Sequence, residues 1–294
     1  RLAKARNYPM RRVAPAAALV FALVLGEPAW AVLDVDITEG NVNPVPVAIS
    51  DFFEPNQGAE RFGKRIPEVI RNNLVRSGLF EAIDPRAFVQ TPEAMQVRPR
   101  FGDWRRIDAQ ALVTGSAEVQ LDGRLRVEFR LWDVFAEQQM EGLILSTTQD
   151  NWRRIGHKIS DAIYRRLTGE TGYFDTRIVY IAESGPAQRR VKRLTIMDQD
   201  GENNTFLTDG SHLVLTPRFS PTAQEVTYLS YFRDQPRVYL FNIDTGQQEV
   251  LGDFPGMTFA PRFSPDGDRV IMSLAIDGNS DIYTMDLRTR LIEQ

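Results

Sequence analysis

The sequence predicts an α/β amino-terminal domain followed by an all-β propeller. Three observations lead there: a repeat with a period in the forties, a hairpin that alternates apolar and polar residues, and two stretches of helical spacing ahead of the repeat. The repeat is the strongest. Pro217-Arg218-Phe219-Ser220-Pro221 returns 44 positions later as Pro261-Arg262-Phe263-Ser264-Pro265, Val226 falls on Val270 and Tyr239 on Tyr283, and Val238, Leu240 and Asn242 step back onto Leu194, Ile196 and Asp198. A single four-stranded blade cannot bury its faces alone, so tandem copies at this period read as neighbouring blades. Residues 174–294 hold fewer than three of them, whereas a closed ring needs roughly 4 to 8. Open strand edges invite association, and the chain therefore reads as a piece of a longer protein.

At the amino terminus, Arg11-Arg12 precede an apolar run from Val13 to Leu25 and then Ala29-Trp30-Ala31, the layout of a secretory signal cleaved after Ala31. A run of about 13 apolar residues is too short to span a membrane, which takes roughly 20. Residues 1–31 are thus read as signal, with residues 1–9, upstream of Met10, as an over-extension of the frame. Residues 32–43 form a lead-in segment. A net charge of −4 argues against a phosphate-driven nucleic-acid binder. The absence of cysteine excludes disulfides, thiolate metal sites and a cysteine nucleophile.

The α/β domain is assigned to residues 44–173 and the incomplete propeller to 174–294. Residues 44–53 are an apolar run suited to a buried strand, after which Phe62, Ile66, Ile70 and Leu74 recur at every fourth position. Pro67 removes a donor, so the regular helix is expected to start near it and to stop at Gly78. Segment 91–104, with two prolines and several charges, reads as an exposed loop. A hairpin turning on Asp122-Gly123 places Leu125, Val127, Phe129 and Leu131 on a core face and Arg124, Arg126, Glu128 and Arg130 in water. Trp152, Ile155, Ile159, Ile163 and Leu167 then trace a helix closed by Gly169. The polar, glycine-rich run 168–175 marks the domain boundary.

Little in the sequence points to catalysis. The two histidines, His157 and His212, fall in different domains and are expected to have surface or capping roles rather than to share a metal. Asp198-Gln199-Asp200-Gly201-Glu202 lacks the glycine and glutamate spacing of a calcium loop and reads as a turn. Neither a nucleophile elbow nor a phosphate loop occurs. The tryptophans read as core residues, and the basic doublets, Arg153-Arg154 among them, as solvated faces. No catalytic residue, metal ligand or cofactor is expected.

Several strings coincide with one family: Asn73-Leu-Val-Arg-Ser-Gly-Leu-Phe80, His157-Lys-Ile-Ser-Asp-Ala-Ile-Tyr-Arg-Arg-Leu-Thr-Gly169 running on to Thr176-Arg-Ile-Val-Tyr180, and the Phe-Ser-Pro repeats. Over residues 32–294 the chain resembles the TolB family of periplasmic Tol-Pal components. The resemblance implies a six-bladed propeller behind an α/β domain, acting as a monomeric, non-enzymatic periplasmic scaffold peripheral to the membranes. Its implied partners are TolA, the lipoprotein Pal and other outer-membrane proteins, and its implied roles are envelope integrity and cell division. By position, the TolA-engaging segment maps onto Leu33, Asp34, Val35, Asp36 and Ile37. The Pal-facing inter-blade loops map onto His212 and onto Met257, Thr258, Phe259 and Ala260.

Two other readings fit a propeller. One is the gating domain of a prolyl-oligopeptidase-like peptidase, which requires a nucleophile elbow absent from this sequence. The other is a propeller that binds a small molecule.

Overall fold

The computed structural model describes residues 43–55, 62–232, 235–252, 257–276 and 278–294, with backbone only at 257–260 and 276. The signal reading and residues 32–42 of the lead-in segment lie outside the described residues. The first unit is built from β1 (Val45–Ile49), α1 (Phe62–Arg76), β2 (Phe80–Ala82), α2 (Phe101–Arg105), β3 (Ala111–Val119), β4 (Leu125–Asp133), β5 (Gln138–Thr147) and α3 (Trp152–Thr168). Its sheet runs β2-β1-β3-β4-β5, with β1 parallel to both neighbours and the β3–β4 and β4–β5 pairs antiparallel.

Helices α1 and α3 cover one face of this sheet. Ile66, Ile70 and Leu74 of α1 and Ile159, Ile163 and Leu167 of α3 close over Val127, Phe129 and Leu131 of β4. Each such side chain contributes about 1.5–3 kcal/mol when fully buried. Gly169 ends α3 in the left-handed region, at φ 77°, its N–H returning to the Arg165 carbonyl. Contrary to the expected start near Pro67, α1 already runs from Phe62. Pro67 has no N–H for the Gly63 carbonyl, and that carbonyl accepts the Phe52 N–H at 2.8 Å instead. The proline is accommodated because the acceptor it strands is used by the strand segment.

The opposite sheet face is not simply in water. Segment 91–104, expected to be an exposed loop, folds into a 3-10 turn and α2, burying Met95, Phe101 and Trp104 against Leu112, Trp132 and Val134. Its apolar residues are spaced irregularly, so periodicity does not reveal them.

Three further sheets follow: β6 (Arg177–Ser184), β7 (Val191–Asp198) and β8 (Thr205–Phe206); β9 (Val214–Phe219), β10 (Glu225–Ser230), β11 (Arg237–Asn242) and β12 (Gln248–Val250); and β13 (Met257–Phe263), β14 (Arg269–Ile276), β15 (Asn279–Asp286) and β16 (Ile292–Glu293). Each is an antiparallel meander with its strands in chain order. They pack face to face, Leu194 against Val214, Tyr228 and Phe241, and Leu229 and Leu240 against Val270 and Met272. This is the stacking of propeller blades, here two of four strands and one of three, without a closed ring.

The repeat residues have mechanical roles. The β9–β10 ladder skips register between Thr227 and Leu229, opposite Thr216-Pro217, and the β13–β14 ladder skips between Phe259 and Arg262, around Pro261. Proline cannot donate to a ladder, so each repeat proline imposes a bulge on the first strand of its blade. The following serine closes the hairpin: Ser220 Oγ accepts the Thr222 and Ala223 N–H groups, and Ser264 Oγ accepts the Arg269 N–H. At the far end of the third strand, Asn242 and Asp286 each cap the next turn through their side-chain oxygen.

Candidate functional site

Among the described residues, a largely buried polar cluster joins the α/β unit to the first blade. Along α3, one face is the isoleucine stripe, and the neighbouring face presents Arg153, Gly156, His157 and Ser160 to α1 and to the β7–β8 turn. Gly156 allows close approach, since a Cβ there would lie 2.9 Å from Val69 Cγ1. His157, expected at the surface, is only 2% exposed.

The hydrogen bonds fix each group's role. Asn73 Oδ1 accepts from Arg76 Nη2 at 2.8 Å and from Gln199 Nε2 at 3.2 Å, so its amide nitrogen must be the donor to Ser160 Oγ at 3.0 Å and to His157 Nδ1 at 2.9 Å. Ser160 Oγ in turn donates a hydrogen bond to the Gly156 carbonyl at 2.8 Å. His157 Nδ1 is therefore an acceptor and the ring proton sits on Nε2, which faces Asp198 Oδ2 at 3.6 Å and Asp200 Oδ2 at 3.7 Å. Both distances exceed hydrogen-bond range.

His157, Asp198 and Asp200 together have the composition of a cation site. The tautomer argues against that use, because a protonated Nε2 has no lone pair to give. The cation already present is Arg153, whose Nη2 binds Asp200 directly and whose Nε lies 4.0 Å from Asp198. Arg153 thus departs from the solvated role expected of its doublet. Burial alone would raise the Asp200 carboxyl, but the Arg153 hydrogen bond, the Glu202 N–H and the Arg153 charge outweigh it and hold the group below its ordinary value.

Asp198-Gln199-Asp200-Gly201-Glu202 is a turn, as expected, with Gly201 at φ 91° and its N–H on the Asp198 carbonyl. In the later blades the equivalent Asn242 and Asp286 cap turns with a threonine three residues on; the first blade has Gly201 there, and its Asp198 accepts from Asn203 Nδ2 at 2.6 Å while facing α3. That loss of the threonine is the one sequence signal that could have exposed the joint. The linker is fastened too. Asp161 accepts the N–H groups of Phe174 at 2.7 Å and Asp175 at 3.0 Å, and Phe174 is sealed in the main core. Burial, and the nearby Asp175 charge, push the Asp161 carboxyl up against those two donors.

The residues expected at the blade rim are placed unevenly. His212 is exposed in the β8–β9 loop, with its ring edge-on to Phe232 at 4.9 Å. It borders a cleft of about 430 Å³ beside Tyr228, Tyr239 and Gln248. Tyr228 stacks on Tyr239 at 5.6 Å and donates to Gln248 Oε1 at 2.7 Å, and burial pushes its phenol well above the ordinary range. Met257, Thr258, Phe259 and Ala260 do not form the expected inter-blade loop: they belong to β13, paired with Ala275, Leu274 and Ser273 of β14. The alternation Met-Thr-Phe continues the strand up to the bulge at Pro261. Leu33 to Ile37 lie outside the described residues. Among the described residues, no helix is long and apolar enough to cross a membrane.

A mixed α/β unit joined through a largely buried polar cluster to stacked antiparallel blades defines a propeller-bearing protein. The TolB amino-terminal domain matches residues 33–140 and the TolB beta propeller domain matches residues 164–294. A Tol-Pal system protein TolB from Paramagnetospirillum magneticum is 58% identical over 254 residues, covering 85% of this chain and 57% of that protein. The crystal structure of TolB from Acinetobacter baumannii superposes with a TM-score of 0.71 at 31% identity, covering 85% of this chain and 60% of that one. The chain belongs to the TolB family, and it spans somewhat over half the length of these relatives. An acylaminoacyl peptidase of Pyrococcus horikoshii matches 40% of the chain at 10% identity with a TM-score of 0.32, too distant to carry an argument.

Proposed function

We propose that the chain acts as a periplasmic, non-enzymatic scaffold of a Tol-Pal system, coupling inner-membrane TolA to the outer-membrane lipoprotein Pal in envelope integrity and cell division. The observation that carries this reading is the 58% identity to a Tol-Pal system protein across both units. Residues 1–31 serve as the export signal, 32–43 as the TolA-engaging segment, 44–173 as the α/β domain and 174–294 as the blades. His212 and residues 257–260 contribute to the Pal-facing rim, with 257–260 acting through the strand that opens their blade.

The lead-in segment enters β1 just after Asn43-Pro44 and has two homes in this reading: TolA, or a cleft of about 1010 Å³ between α3 and the first two blades, lined by Arg154, Asp175, Met197 and Asn204. Such a switch requires two docked states of near-equal free energy. A pull-down from envelope extract with the complete protein as bait is expected to recover Pal, and failure to do so would overturn the scaffold assignment. Removing residues 32–40 is expected to abolish TolA binding while leaving Pal binding intact; unchanged TolA affinity would reject the segment's role.

A further inference from the structure

We propose that His157 is a proton-operated switch in the joint: a proton taken up at Nδ1 turns over the Asn73 amide, and with it Gln199 of the first blade, while the charged ring closes on Asp198 and Asp200. This inference does not depend on the Tol-Pal reading. The ring is poised to act, because its Nε2–H is buried without a hydrogen-bond partner among the described residues, with Asp198 Oδ2 and Asp200 Oδ2 standing 3.6 and 3.7 Å away. A buried donor left unmade costs free energy that a charged ring recovers by closing on a carboxylate. Charged groups face the ring from each element packed on it. On α3, Arg153 opposes a second cation and Asp161 favours one; the β7–β8 turn brings Asp198 and Asp200; on α1, Arg76 reaches Asn73. Three acidic groups against Arg153 and the exposed Arg76 favour the charged form.

Asn73 is the second half of the switch. With the ring neutral, Asn73 Nδ2 donates to His157 Nδ1 and to Ser160 Oγ, while Oδ1 accepts from Arg76 and Gln199. A solvent proton bonded to the Nδ1 lone pair sets one N–H against another, and neither has an acceptor. Turning the amide over resolves the conflict: Oδ1 accepts from Nδ1–H and from Ser160 Oγ, which gives up the Gly156 carbonyl. Nδ2 then faces Gln199 and Arg76. Gln199 adapts by turning over in its own right, because a side-chain amide carries both a donor and an acceptor. A guanidinium has donors alone, so Arg76 is released to solvent. The charge on one buried ring therefore sets two hydrogen-bond arrangements across the joint, one holding Arg76 and the other drawing the blade turn onto α3.

The test is heteronuclear NMR of the imidazole and side-chain amide nitrogens of the full chain, titrated from mildly alkaline to acid pH. The chain has two histidines, so His212→Gln, at an exposed site, leaves a single ring in the spectrum. His157 is expected to carry its proton on Nε2 at alkaline pH and to gain one on Nδ1 as the pH falls, with the Asn73 and Gln199 amides moving at the same midpoint. Arg76→Gln replaces a group that can only donate with one that can also accept, and should shift the ring's midpoint to higher pH. Lys158→Gln removes an exposed charge next to the ring in sequence without touching Asn73, and should shift it less. A neutral ring protonated on Nδ1, a ring that stays neutral until the chain unfolds, amides that stand still while the ring titrates, or equal shifts for the two variants would each overturn the proposal.

Discussion

Replacing Asp200 with asparagine tests the joint at its electrostatic centre. The carboxylate is 8% exposed and its partner Arg153 18%, so the pair is largely out of water. Stranding a buried charge by removing its partner costs about 3–5 kcal/mol. Here Arg153 retains Asp198 at 4.0 Å and asparagine retains an acceptor oxygen, so about 2 kcal/mol is expected. For a chain of this length that lowers the melting midpoint by about 4–8 °C. The difference depends on pH. The folded Asp200 carboxyl lies below its ordinary value of 3.8, so its contribution is complete above that value and disappears as the pH falls through the lower, folded one. Thermal unfolding of parent and variant at neutral pH and in acid should show the gap closing below about pH 4. A variant as stable as the parent at neutral pH, or a gap that does not change in acid, would refute the account of the joint.

Phe174→Ala, at a fully buried site in the main core, should cost about 3–5 kcal/mol, read by urea denaturation; a loss below about 1 kcal/mol would show that the linker is not packed. Gly156→Val drives a side chain against Val69 and should cost about 1–3 kcal/mol by the same measurement, with a near-neutral result arguing against the tight α1–α3 crossing. Tyr228→Phe removes the hydroxyl bonded to Gln248 and should cost about 1 kcal/mol, with the tyrosine absorbance titration losing its most alkaline component; an unchanged titration would contradict its burial.

Much of the fold follows local rules and was legible. The proline bulges, the serine-closed hairpins and the Asn242 and Asp286 caps are short-range devices, so they repeat in sequence wherever they repeat in space. Helix α3 and the core face of β4 show regular periods for the same reason. The joint was not legible. Asn73 meets His157 across 84 positions and Gln199 across 126, and no local pattern encodes such a meeting. The lobe that buries Trp104 was missed because two prolines and a charge run disguise a core segment. Residues 257–260 were misplaced because an apolar run beside a proline reads equally as loop or as bulged strand.

Asp161 holds the backbone of Phe174 and Asp175 on α3 itself, and β6 begins at Arg177. Almost no free chain therefore separates the rod from the first vane. A torque applied to the blades would reach α3, and through its isoleucine stripe the whole α/β core, without slack.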